Sequence, residues 1–355
     1  MTCVKNRYIL SALILLLLLT NCARRYGYKY SNPIYEKSPS PYEVIQSYEI
    51  PEEIEEKILL LDPEHVSGEN IREVLSSAPA PRIINIHGGI YPVYLAMESF
   101  SRFLIGMGYP EEMIRNPEDG SYSISCYTPA DKIAGMIAWY YEHEGMRPMI
   151  VGHSQGGMQA VKVLHELAGH FGDDLRPWNP LKGEYEERNY ILDPLTGKKR
   201  PIEGLSVSYA TAVGSGGLTR FMPNQWIMFG KLRSIPDTVE EFTGFFMGLD
   251  IIGGDLMGFG SSNKYHPNGK AKVRNVQLPT GYNHVTVPVT GHLARDPEIR
   301  DWINAYQPVD EPVLDREFKA KSDHILWAAD VWHSIKKHWV LELKRLIQAR
   351  REAGR

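Results

Sequence analysis

Gly152-His153-Ser154-Gln155-Gly156 stands between a short apolar run, Pro148 to Val151, and a segment with helical apolar periodicity from Gln155 to about Ala168. A G-x-S-x-G pentapeptide alone is a weak signal. Set between a strand and a helix, it is the strand–turn–helix that an exposed nucleophilic serine requires. Glycines on both sides let the chain turn where a Cβ would clash, which holds the hydroxyl above the sheet edge at the positive end of the helix. A serine so placed attacks an acyl carbon once a base takes its proton. Ser154 is therefore the candidate nucleophile.

The elements that must position it follow a strand–helix rhythm. Arg82 to Ile86 is a short apolar run bounded by Pro81 and His87-Gly88-Gly89, and it suits a buried parallel strand. A helix follows with Leu95, Phe100, Phe103 and Leu104. Thr128-Pro129-Ala130-Asp131 reads as the cap, first residue and acidic first turn of another helix, ending at Gly145. Further strands are expected at Leu205–Val213, around Phe242–Phe246, and at Val273–Leu278. Asp296-Pro297 opens a short helix, and a long amphipathic helix runs from Ser322 with Ile325, Trp332 and Trp339 on its apolar side. Residues 175–204 break the rhythm and read as an insertion containing a hairpin, turning at Asp193-Pro194-Leu195-Thr196-Gly197. The alternation predicts an α/β fold: a mostly parallel sheet with helices on both faces.

With its Gly-His-Ser-x-Gly turn and the His-Gly end of the earlier strand, the chain resembles the α/β-hydrolase superfamily, specifically bacterial lipases and esterases, over roughly residues 81–306. The resemblance implies an α/β-hydrolase fold with 175–204 as an inserted cap segment. It also implies an oxyanion hole from the backbone N–H groups of Gly89 and Gln155, each such donor stabilising the developing charge by about 3 kcal/mol. His87 reads as a residue whose ring caps the turn. In this fold the chain order is serine, acid, histidine. His165 and His170 belong to the helix after Ser154, His266 to a polar loop, and His324, His333 and His338 to the tail helix. His284 and His292 remain. His284 follows the last strand after a short loop, and the approach Asn275 to Pro279 is similar to that of secreted lipases, so His284 is the expected base and His292 the alternative. Asp255 and Asp250 are the candidate acids. Asp250 is nearer the strand end, while the separation of Asp255 from His284 is common in such enzymes and favours Asp255. The acid holds the imidazole tautomer and stabilises the imidazolium.

At 355 residues, with 43% hydrophobic residues, the chain suits one large domain with insertions. A net charge of -4 gives no electrostatic reason to expect nucleic acid as a partner. No H-E-x-x-H, zinc-spaced cysteine pair or P-loop occurs, and Gly214, Gly216 and Gly217 lack dinucleotide-site spacing, so no metal or cofactor is expected. Lys5 and Arg7 precede an apolar run, Ile9 to Leu19, which reads as an export signal. Leu19-Thr20-Asn21-Cys22 resembles a bacterial lipobox, with Asn21 where a small residue is usual. That makes Cys22 the expected lipidation site, residues 1–22 a signal, and 23–48 a Tyr-, Ser- and Pro-rich tether. Cys126 would then be the one thiol left, and buried. The expected organisation is a domain at 49–310 and a C-terminal helix within 311–355. The sequence thus reads as a serine hydrolase of carboxylic esters, acting on an acyl ester or lipid and tethered to the membrane of a bacterial envelope. The alternatives are a non-catalytic envelope lipoprotein, or a thioesterase or acyltransferase.

Overall fold

Strands buried on both faces need no polar alternation, and three stretches meet that condition: β1 (Ile83–His87), β3 (Met149–His153) and β4 (Val207–Val213) are buried along their whole length. With the two-residue β2 (Ile124–Ser125), β5 (Val239–Met247) and β6 (Lys272–Leu278), they form one sheet in the order β6-β5-β4-β3-β1-β2. Every neighbouring pair is parallel. The computed structural model describes residues 49–172, 174–215, 223–248, 250, 263–279, 281–314 and 324–354. The signal 1–22 with Cys22, the tether 23–48 and Asp255 lie outside these residues.

Seven α-helices accompany the sheet among the described residues: α1 (Glu52–Leu60), α2 (Gly68–Glu73), α3 (Tyr91–Gly106), α4 (Ala130–Glu144), α5 (Gln155–Leu167), α6 (Pro297–Ala305) and α7 (Ile325–Glu352). The pleat of β3 divides the core. Met149 and Val151 pack into one apolar cluster with Phe100 of α3 and Trp327, Trp332 and Trp339 of α7. Ile150, between them, packs into the other with Ile137 of α4 and Val161 of α5. Helices therefore cover both faces. None of the described helices is long and apolar enough to cross a membrane.

Helix α7 is part of the core. Its three tryptophans are fully buried, and its polar side chains reach the N-terminal segment. His333 Nε2 donates to Glu64 O, Lys344 Nζ to Leu59 O and Leu61 O, and Lys336 Nζ to Val66 O and Asn304 O. Burial pushes the Lys336 ammonium down to about 8.

Two local expectations change. α4 begins at Ala130, with Pro129 outside it, because the Thr128 carbonyl accepts from Gln159 Nε2 at 2.7 Å and holds that segment extended across α5. The insertion contains two antiparallel hairpins, Trp178–Asn179 with Glu184–Tyr185 and Tyr190–Leu192 with Lys199–Pro201. It lies along α4: Tyr185 Oη donates to Asp131, Trp139 Nε1 donates to Glu186, and Arg188 pairs with Glu142. The start of α6 is as read, with Asp296 Oδ1 accepting from Glu298 N and Ile299 N.

Because Trp327 is fully buried against Phe100 and Phe245, Trp327→Ala should cost about 3–5 kcal/mol of unfolding free energy. A urea titration checks this. A loss below about 1 kcal/mol would show that α7 is not part of the cooperative core.

Candidate active site

The strand order reverses between β1 and β3, since β1 is followed outward by β2 while β3 and later strands build the other way. Open α/β sheets bind ligands in the crevice at such a switch point, outside the carboxyl ends of the strands. His87-Gly88-Gly89 and Ser154 both emerge there. Ser154 has φ 58 and ψ -126, a conformation that costs a non-glycine residue on the order of 1–3 kcal/mol. Its neighbours explain how the turn is built. A Cβ on Gly152 would lie 2.6 Å from the Gly156 carbonyl oxygen, and one on Gly156 would run into the Ile86 carbonyl. Ser154 N still donates to Val213 O at 2.9 Å, so the turn starts from an intact ladder.

Ser154 Oγ lies 2.9 Å from His284 Nε2, and His284 Nδ1 lies 2.9 Å from Asp250 Oδ2. A carboxylate can only accept, so Nδ1 carries the proton and Nε2 is left to accept from the serine hydroxyl. The arrangement can take a proton from Ser154 and stabilise the resulting imidazolium. Asp250 lies just past the end of β5, beside the end of β4, and His284 is buried. Asp255, the acid that sequence spacing favours, lies outside the described residues, and the carboxylate that meets His284 is Asp250. His292 is exposed at the start of a short 3-10 turn, and the imidazole that meets Ser154 is that of His284. Gly214, set aside in the sequence as a failed dinucleotide motif, is part of the site. A Cβ there would lie 2.9 Å from His284 Nδ1.

The residues expected to cradle an oxyanion also converge. Gly88 packs on Ser154, with a built Cβ 2.9 Å from Ser154 Cβ and 3.1 Å from Oγ. Gly89 packs on the Gln155 carboxamide and the Tyr127 hydroxyl. Gln155 is the first residue of α5, where backbone N–H groups lack intrahelical acceptors. The His87 ring hydrogen-bonds Ser123 Oγ through Nδ1 at 2.9 Å, tying the end of β1 to the start of β2. Among the described residues no three His, Cys, Asp or Glu side chains gather to hold a metal ion. Cys126 is buried and its thiol pushed far up by desolvation, which makes it a poor nucleophile.

No protein-family model matches the chain, and no curated protein matches it.

One site residue escaped sequence reasoning. His153, between Gly152 and Ser154, is fully buried and donates from Nε2 to the His284 carbonyl at 2.6 Å. Nothing local signals this, because the partners are 131 residues apart. Burial holds both His153 and His87 down to about 3. Each is neutral when folded and binds a proton below about pH 6.5 when unfolded, so the unfolded state takes up more protons between those values. Stability therefore falls as pH drops from 6.5 toward 3, by up to about 1.4 kcal/mol per pH unit for each ring. Urea midpoints at pH 7 and 5 should differ accordingly, and His87→Gln should flatten the dependence. An identical pH slope in that variant would contradict the assignment.

Proposed function

We infer that the chain is a serine hydrolase of the α/β-hydrolase type, cleaving carboxylic esters through an acyl-enzyme on Ser154. The observation that carries this reading is the pair of 2.9 Å contacts that link Ser154 Oγ to His284 and His284 to Asp250. In the proposed cycle His284 takes the Ser154 proton as Oγ attacks the ester carbonyl, then gives it to the leaving alcohol. Water, activated by the same imidazole, then releases the acid. Asp250 keeps His284 in the required tautomer. Backbone N–H groups of Gly89 and Gln155 are the proposed oxyanion donors. The strained Ser154 weighs against a non-catalytic scaffold, because a retired site has no use for that conformation. Thioesterase and acyltransferase chemistry would use the same residues and differ in the acceptor or leaving group.

Residues 175–204 are the proposed cap, lying along α4. The proposed location is the bacterial cell envelope, with the chain exported and held to the membrane through a lipidated Cys22.

Ser154→Ala should lower ester-hydrolysis kcat by at least about 10³-fold with the urea midpoint retained. Asp250→Asn should also lower kcat steeply, because the amide favours the wrong tautomer of His284. Assays of purified variants on a short-chain nitrophenyl ester check both. A Ser154→Ala protein that keeps more than a few per cent of kcat would overturn the mechanism. Asp250→Asn with wild-type kcat, and Asp255→Asn without activity, would move the acid to Asp255.

A further inference from the structure

Consecutive residues of a strand face opposite sides, so they seldom reach one partner. His153 and Ser154 do. The serine meets the His284 ring at Nε2, and His153 meets the His284 peptide at its carbonyl oxygen. The positive φ of Ser154 breaks the alternation and swings Oγ to the same residue. His284 is thus held at its ring and at its backbone by two neighbours in sequence.

The bond from His153 has a defined sense. A carbonyl only accepts, so His153 carries its proton on Nε2, and its Nδ1 is buried without a hydrogen-bond partner among the described residues. The ring stays neutral well below pH 6 because it is desolvated. Around His284 the loop closes on itself: Thr286 N and Val287 N donate to Asn283 O, and Val285 N donates to Asn283 Oδ1. These turns are local, and Leu326 N of α7 donates to Tyr282 Oη at 3.1 Å, which ties the start of the loop to the core. The His153 bond is the contact that reaches the His284 peptide itself from the end of β3.

We propose that His153 is a positioning residue, whose Nε2–H fixes the His284 peptide at the height from which the imidazole reaches both Ser154 and Asp250. This rests on the hydrolase reading above. Without the donor, the His284 carbonyl is buried and unpaired, and the loop moves to rehydrate it. A displacement of about 1 Å at a catalytic group costs on the order of 10²-fold in rate. The His153 ring is fully buried beneath the turn, out of reach of a bound substrate, so the loss should fall on kcat and leave KM in place.

Full-length wild type, His153→Leu and His153→Gln test this. The leucine keeps volume and removes the donor, while the glutamine nitrogen occupies the place of Nε2 and can still donate. Nitrophenyl butyrate hydrolysis, fluorophosphonate labelling rate, urea midpoint and ¹⁵N-histidine spectra are measured on each. His153→Leu should lose about 10- to 100-fold in kcat and in labelling rate with KM within about twofold, and its His284 signals should shift and broaden. His153→Gln should recover kcat to within about fivefold of wild type and restore the His284 signals. A folded leucine variant with wild-type kcat, or a glutamine variant as impaired as the leucine one, overturns the proposal. If the leucine variant does not fold, the glutamine variant decides alone on the same criterion. If wild type neither hydrolyses the ester nor takes the label, the hydrolase reading fails. The spectra then decide the positioning claim: His284 signals unchanged by His153→Leu overturn it, and signals shifted by leucine but restored by glutamine support it.

Discussion

The close approach of α5 to the end of β1 governs the geometry of this molecule. Gly156 lies so near the Ile86 carbonyl that no Cβ fits between them, and Gly152 lies almost as near the Gly156 carbonyl. The helix can therefore start directly above the sheet edge, and the one residue between strand and helix must take a conformation with positive φ. That residue is Ser154. Strain on the order of 1–3 kcal/mol persists only where the surroundings over-determine it. Here they do, through fully buried β3, the ladder bond to Val213 and a helix packed against both neighbouring strands.

Everything else at the crevice is placed relative to that turn. Two loops from the far side of the sheet come to it, one carrying Asp250 after β5 and the other His284 after β6. The His284 ring approaches Gly214 so closely that a Cβ there would lie 2.9 Å from Nδ1 and 3.0 Å from Cε1, so a side chain at that position would push the imidazole away. Beneath the crevice, His87 and His153 are buried and neutral, so they serve as directional hydrogen-bond groups and not as charges. The same neutrality couples the integrity of the site to pH, because in acid both rings take up a proton once the strand ends are exposed, which favours the unfolded chain.

The central strands were legible because strands covered on both faces are rich in apolar and small residues without strict alternation, as at Arg82–Ile86, Pro148–Val151 and Leu205–Val213. The edge strand at Val273–Leu278 is partly exposed and mixes Val276 and Leu278 with the polar Asn275 and Gln277. β2 left no such mark, having only two residues, Ile124 and Ser125, paired with Ile86 and His87. The turn around Ser154 was readable because its glycines answer a local steric demand. The partner of His284 was not, because the choice between Asp250 and Asp255 depends on the path of a loop and not on any residue-level preference. The role of His153 was hidden for the same reason, its acceptor lying on a distant loop. His284, the histidine that meets Ser154, follows the last strand, and that position is a topological cue the sequence does carry.

In the proposed mechanism Ser154 is an activated nucleophile, and its reactivity can be read directly. The folded chain is treated with a fluorophosphonate, weighed intact and then mapped by peptide mass. A single adduct is expected, on Ser154, that fails to form once the protein is unfolded in urea, because the activation depends on His284 and Asp250 being in place. No adduct on the folded chain, an adduct on another residue, or equal labelling of Ser154 in the unfolded chain would contradict that mechanism.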